Sequence, residues 1–120
     1  MMRQILIFAG VVLTLTACLK DKSVEPVIAG PCADTIYFND DLLIPIFNTS
    51  CNTSGCHSSG DAAAGYVLEG FDNISDNSDV LLKVLQHEAS VTPMPLGGDK
   101  LADSLIQKFD CWIQQGKLNN

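Results

Sequence analysis

The stretch Cys51-Asn-Thr-Ser-Gly-Cys56-His57 decides how this chain is interpreted, because it places two thiols and an imidazole on one short segment. The residues from 51 to 65 are small and polar, and they include two glycines before position 65. Such a composition favours a loop over a helix or a strand. Cys51, Cys56 and His57 are therefore the first candidate functional residues.

Amphipathic helices are predicted on both sides of this loop. Upstream, apolar residues at 42, 43, 46 and 47 have helical spacing, residues 39–41 are suited to the helix start, and Pro45 fits a first turn or a kink. Downstream, residues 80, 81, 84 and 85 predict a helix over 78–87. The clearest pattern, at 105, 106, 109, 112 and 113, predicts a last helix with Asp103 in its first turn and Gly116 at its end. The domain is predicted to be all-α.

Length and charge restrict the function classes. The chain has 120 residues, which is enough for one small domain and too few for most large enzyme folds. Seven basic residues against fourteen acidic ones give a net charge of −7, so no basic footprint for nucleic acid is present. The five cysteines are an odd number, so at least one of them lies outside an intramolecular disulfide.

The N-terminal residues have the pattern of an export signal. Arg3 precedes an apolar run from 5 to 15, which is too short to cross a bilayer as a helix, since that takes about 20 residues. Leu15-Thr-Ala-Cys18 resembles the lipobox of bacterial lipoproteins, and the resemblance implies that Cys18 is acylated after removal of residues 1–17. We expect a tether over residues 18–33, a folded domain over 34–120, and a lipid-anchored location in the cell envelope.

Cys56 and His57 stand next to each other as in the haem-attachment signal Cys-x-x-Cys-His, in which the thiols bind the haem vinyls and the histidine binds iron. Here four residues separate the cysteines instead of two, and the longer loop could bulge away from the macrocycle. Met94 lies between Pro93 and Pro95, which keep it out of a helix. Methionine is a common sixth ligand of histidine-bound haem iron.

This order of elements resembles the small c-type cytochrome domains of exported bacterial lipoproteins, in particular the planctomycete-type cytochrome c group. The resemblance covers about residues 36–120. It rests on Leu43-Ile-Pro-Ile-Phe47, Gly55-Cys-His57, Met94-Pro95, Lys100-Leu101, Trp112-Ile-Gln-Gln-Gly116 and Asn119-Asn120.

The resemblance implies a class I cytochrome c-like fold of about three helices around a covalently bound haem c. Cys51 and Cys56 would form the thioethers, His57 would be the proximal ligand of the haem iron and Met94 the distal ligand. The chain would then be an electron carrier rather than an enzyme. Its partners would be redox proteins or a membrane respiratory complex, with contact to the membrane through the lipid anchor.

Several alternatives remain open at this point. Cys51 and Cys56 could form a small disulfide in a non-redox envelope lipoprotein that acts as a binding or structural module. They could bind zinc with His57 and His87, although adjacent Cys56 and His57 make a poor ligand pair. A haem sensor or haem enzyme with an open distal site is a third possibility. His87, seven residues before Met94, competes with it as distal ligand and is otherwise expected to be solvated.

Cys32 and Cys111 are the two cysteines without a role once the others hold lipid and haem. Cys111 points roughly 160° away from the centre of the apolar stripe of the last helix. The tether that carries Cys32 could lie across that side, and both thiols would meet an oxidising compartment. We therefore predict a Cys32–Cys111 disulfide.

Overall fold

The computed structural model describes residue 30 and residues 32–120. The expected signal peptide over 1–17 and the expected lipidation site Cys18 lie outside the described residues. The described part contains four helices: α1 (Phe38–Asn48), α2 (Phe71–Asp76), α3 (Ser78–Gln86) and α4 (Asp103–Gln114). A short 3-10 turn, Ala63–Gly65, lies between α1 and α2. No strand occurs among these residues, which confirms the all-α prediction and adds one short helix to the three expected.

Helix α1 is wound as a π-helix, and Pro45 lies inside it rather than in its first turn. Proline has no N–H, and its ring crowds the carbonyl one turn earlier, so a wider turn accommodates it. Thr49 Oγ1 donates to the Ile44 carbonyl at 2.8 Å within this widened stretch. At the other end, Asp41 Oδ2 accepts the Tyr37 N–H at 2.9 Å. The helix leads directly to Cys51, whose N–H donates to the Phe47 carbonyl at 2.9 Å.

The core lies where α4 packs against α1 and α3. Trp112 is at its centre, with its ring stacked on Phe109 at 5.7 Å between centroids and tilted against Phe38 at 5.4 Å. The indole Nε1 donates to the Leu118 carbonyl at 2.8 Å, so the one polar atom of the ring is satisfied. Burial of this aromatic group is the main apolar contribution to the fold. The largest fully buried side chains are Trp112, Phe38, Phe47, Phe109, Leu42, Ile46, Ile74 and Leu85.

The segment 32–36 is fixed to α4. A disulfide joins Cys32 to Cys111, as predicted, and covers the side of α4 away from the apolar stripe. This explains why Cys111 is buried although the stripe pattern places it outside the core. Gln115 adds three bonds: its amide donates to the carbonyls of Cys32 (3.2 Å) and Asp34 (2.7 Å), and its Oε1 accepts the Ile36 N–H at 3.0 Å. The folded part thus includes Cys32, two residues before the predicted start at 34.

Helix α4 ends as the glycine at 116 predicts. Gly116 has φ of +92°, and the Lys117 N–H donates to the Trp112 carbonyl at 3.0 Å, which is the pattern of a glycine-terminated helix. The chain then passes the start of α1, where Asn120 Oδ1 accepts the Phe38 N–H at 3.0 Å. No helix in the described ranges is both long enough and apolar enough to span a membrane.

Candidate functional site

The two candidate attachment cysteines are both free thiols. Cys51 follows α1 and is only 9% exposed, whereas Cys56 is half-buried. Burial raises the pKa of the Cys51 thiol to about 11, and the nearby Cys56 adds to the shift. Cys51 is therefore a neutral thiol at pH 7, held in apolar surroundings next to a second thiol. The structure does not join them in a disulfide.

The loop between these cysteines closes on itself. The His57 N–H donates to the Cys51 carbonyl at 3.0 Å, and the Cys56 N–H donates to the Thr53 carbonyl at 3.0 Å. The intervening residues Ser54 and Gly55 are exposed, and Gly55 has φ of +80°, a conformation that glycine adopts without strain. The extra length relative to Cys-x-x-Cys-His thus goes outward, while the two ends of the loop stay together.

The Asp61 side chain forms hydrogen bonds to the exposed part of this loop. Its Oδ2 accepts the Gly55 N–H at 2.9 Å and the Ser58 hydroxyl at 2.7 Å. These two hydrogen bonds hold the pKa of the Asp61 carboxyl below its ordinary value, because they favour the charged form. This role of Asp61 is not visible in the sequence, since a lone aspartate in a polar segment is indistinguishable from a solvated one.

His57 has one ring nitrogen engaged and one available. Its Nδ1 lies 3.1 Å from the Tyr66 carbonyl oxygen, and a carbonyl can only accept, so Nδ1 carries the proton. Nε2 then has a free lone pair and makes no hydrogen bond with any described residue. The backbone also holds His57, since its carbonyl accepts the Leu68 N–H at 2.9 Å. A histidine that donates one ring N–H to a backbone carbonyl and leaves its other ring nitrogen available has the arrangement usual for metal-ligating histidines.

Met94 is half-buried in the segment that follows α3, and both of its peptide groups are bonded. Its N–H donates to the Val84 carbonyl at 3.0 Å. Its carbonyl lies 3.0 Å from His87 Nε2, which must be the donor. His87 was expected to be solvated or to compete as a ligand. In the structure the half-buried His87 ring is hydrogen-bonded to the backbone of Met94.

The structure therefore forms two groups from the candidate residues. Cys51, Cys56 and His57 share one closed loop, and Met94 and His87 share the turn after α3. No set of three or more His, Cys, Asp or Glu side chains in the described part of the chain converges as a metal site, and His87 does not join the Cys–His loop. An exposed apolar side chain lies in sequence near each group: Tyr66 is 38% exposed, with its ring edge-on to His57 at 6.4 Å between centroids, and Leu96 is 74% exposed.

Comparison of the chain with protein-family models, curated proteins and solved structures gave no match.

Proposed function

We propose that this chain is a membrane-anchored c-type cytochrome that carries electrons, with haem c bound at Cys51, Cys56, His57 and Met94. The single observation that carries the proposal is the hydrogen bond from His57 Nδ1 to the Tyr66 carbonyl, directly after two free thiols. It selects the tautomer in which Nε2 can bind iron. When bound, haem supplies reversible one-electron exchange at its iron.

The residues present fit such a group. Covalent attachment needs two thiols that are not consumed by a disulfide, and Cys51 and Cys56 are both free. The closed loop holds both thiols near the imidazole, since the His57 N–H donates to the Cys51 carbonyl at 3.0 Å. Exposed Tyr66 and Leu96 supply apolar surface beside the two ligand groups, which a haem face would cover.

Each side chain has a separate task in this proposal. His57 provides a strong nitrogen ligand, and the hydrogen bond to Tyr66 fixes its ring. Met94 provides a soft thioether that favours the ferrous state and raises the potential. With His57 and Met94 both holding the iron, the site would be suited to electron transfer rather than to substrate binding.

The proposed setting is the cell envelope, with lipid on Cys18 and electron exchange with other redox proteins or a membrane respiratory complex. The tether expected over residues 18–33 would begin at Cys18, and near its end the Cys32–Cys111 disulfide ties the chain to α4. That covalent link suits a domain that is held at a surface yet folded independently of it. The disulfide itself suits an oxidising compartment.

Co-expression of the full chain with a haem-attachment system tests the proposal. We expect a red protein that keeps its haem after denaturation and gives a pyridine haemochrome spectrum of two thioether bonds. The variants Cys51→Ala and Cys56→Ala should each change this spectrum to that of one thioether bond. A wild-type chain that stays colourless would exclude the cytochrome proposal and favour a non-redox module stabilised by the Cys32–Cys111 disulfide.

The distal ligand is tested separately on the red protein. Met94→Ala should lower the reduction potential and let added imidazole or cyanide bind the iron. A retained potential and an unchanged spectrum would assign the sixth position to another group.

A further inference from the structure

His87 ends α3 in the left-handed region, with φ of 59° and ψ of 41°. Left-handed backbone at a helix end reverses the chain direction, and it is usually provided by glycine or asparagine. At this position it turns the imidazole toward the following segment, where Nε2 donates to the Met94 carbonyl at 3.0 Å. A histidine in this strained conformation, with its ring half-buried, has a defined partner rather than a solvated surface position.

The segment around Met94 has few other means of attachment. Pro93 and Pro95 have no backbone N–H, so Met94 carries the only amide donor of three successive residues. That donor goes to the Val84 carbonyl in the last turn of α3, which also accepts the His87 N–H at 3.3 Å. The two peptide groups of Met94 are thus held by the end of α3, one by its backbone and one by the His87 ring.

We infer that His87 is a positioning residue for Met94: its Nε2–H fixes the Met94 peptide, and thereby the place from which the thioether is presented. The inference rests on the proposed haem function for its consequence at iron, but the hydrogen bond belongs to the chain itself. His87 is then a half-buried side chain with a defined backbone partner. It holds the distal ligand through that ligand's own backbone.

Two substitutions separate the ring's hydrogen bond from its backbone conformation. Glutamine places an amide N–H near the position of histidine Nε2, so His87→Gln keeps the donor. Asparagine tolerates the left-handed region better than glutamine does, but its amide is too short to reach the Met94 carbonyl. A hydrogen-bond role predicts that His87→Gln resembles wild type and His87→Asn does not, whereas a purely conformational role predicts the opposite order.

The first measurement uses the full chain without haem. Amide hydrogen exchange at Met94 should be roughly five- to tenfold faster in His87→Asn than in wild type, and close to wild type in His87→Gln, as expected for the loss of one hydrogen bond. Nitrogen chemical shifts of the wild-type imidazole should show the proton on Nε2. Unchanged exchange at Met94 in His87→Asn, or faster exchange only in His87→Gln, would overturn the inference.

The second measurement uses the red protein. His87→Asn should bind added imidazole in the ferric state at roughly five- to tenfold lower concentration than wild type, since Met94 is less well placed to compete, and His87→Gln should restore resistance. Equal imidazole affinity in all three chains would contradict a positioning role at iron. A colourless wild-type chain would reject the haem proposal alone, because the exchange experiment still decides whether His87 holds Met94.

Discussion

The part of the molecule built from α1, α4 and the segment 32–36 is held by buried side chains and a disulfide, whereas the part that carries the candidate ligands is held by backbone hydrogen bonds. In the first part, Trp112, Phe38 and Phe109 are fully buried against one another. In the second, Cys51 and Leu68 are buried, but the residues between them and the turn around Met94 are half-buried or exposed, and their backbone groups pair with one another and with α3.

This difference separates what stabilises the fold from what shapes the site. Buried apolar area supplies most of the free energy of folding, so substitutions around α4 should be felt by the whole domain. Loops with few buried contacts open locally at lower free energy than the global unfolding transition. Substitutions in the two ligand segments should therefore alter local protection and ligand geometry more than overall stability.

The largest effect is expected from Trp112→Ala. The substitution removes a fully buried ring with three aromatic neighbours and also leaves the Leu118 carbonyl without its donor. The free energy of unfolding should fall by about 3–5 kcal/mol, measured by urea denaturation of the disulfide-intact chain. His57→Ala, which removes one exposed hydrogen bond of the site loop, should cost about 1 kcal/mol or less. A similar loss of unfolding free energy in both variants would contradict the proposed difference between the buried core and the ligand-carrying segments.

Removal of the Cys32–Cys111 disulfide should have the next largest effect. The bond closes a loop with a sequence separation of 79, and its loss frees the unfolded chain. The double variant Cys32→Ala with Cys111→Ala should lose roughly 2–4 kcal/mol of unfolding free energy in urea. The matched control, Cys51→Ala with Cys56→Ala, also removes two sulfurs but opens no covalent loop. If the control is destabilised as much as the disulfide variant, covalent closure is not what stabilises this side of the molecule.

The sequence was most informative where the spacing of apolar side chains specifies a helix. The apolar stripes of α3 and α4 predict both helices to within about two residues, and Gly116 marks the end of α4. Helix α2 was not predicted, because it has six residues and buries only Ile74, which is too little for a helical period to show. Pro45 indicated a disturbance in α1, but whether a ring inside a helix causes a kink or a wider turn depends on packing around it.

The side chains of the candidate site could be predicted from the sequence, but the backbone groups that hydrogen-bond to them could not. The adjacency of Cys56 and His57 and the proline-flanked Met94 are visible in the sequence. The Tyr66 carbonyl that accepts from His57 is not, because any residue at that position would offer the same carbonyl. The partner of His87 is hidden in the sequence for a related reason, since it is the Met94 carbonyl and the direction of the ring depends on one left-handed residue.

A smaller effect is expected from the ion pair that joins α1 to α4. Lys108 Nζ lies 2.6 Å from Asp41 Oδ1. The Lys108 hydrogen bond, together with the Tyr37 N–H, holds the pKa of Asp41 below its ordinary value. The pair is partly exposed, so it should contribute only about 0.2–1 kcal/mol. Since the folded pKa is the lower one, this contribution is present above pH of about 4 and is lost as the pH falls through the folded value.

Asp41→Asn tests this contribution. The variant should be less stable than wild type at pH 7 by that amount, and the difference should shrink in acid and in high salt. Urea denaturation at several pH values measures it. A difference that grows as the pH falls would contradict the assignment of the lowered pKa to Asp41.

The smallest change in overall stability is expected from substitution of Asp61, which lies in the ligand-carrying part of the molecule. Asp61→Ala removes the acceptor of the Gly55 N–H and of the Ser58 hydroxyl, both in the exposed Cys–His loop. Because these contacts are confined to that loop, the urea midpoint should stay within the error of the measurement, while amide exchange at Gly55 becomes several-fold faster. In Asp61→Asn, which keeps one acceptor oxygen, the exchange rate at Gly55 should lie between those of wild type and Asp61→Ala.

Acid should act on this loop as the alanine variant does. The pKa of the Asp61 carboxyl is lower in the folded protein than in the unfolded chain. The ionised carboxylate therefore stabilises the loop at pH values above the ordinary aspartate pKa, and this contribution is lost as the pH falls through the pKa of the folded state. Wild-type exchange at Gly55, corrected for the intrinsic pH dependence of exchange, should then approach that of Asp61→Ala. Cooperative unfolding of the whole domain on loss of Asp61 would instead mean that the Cys–His loop and the α1–α4 core are one stability unit.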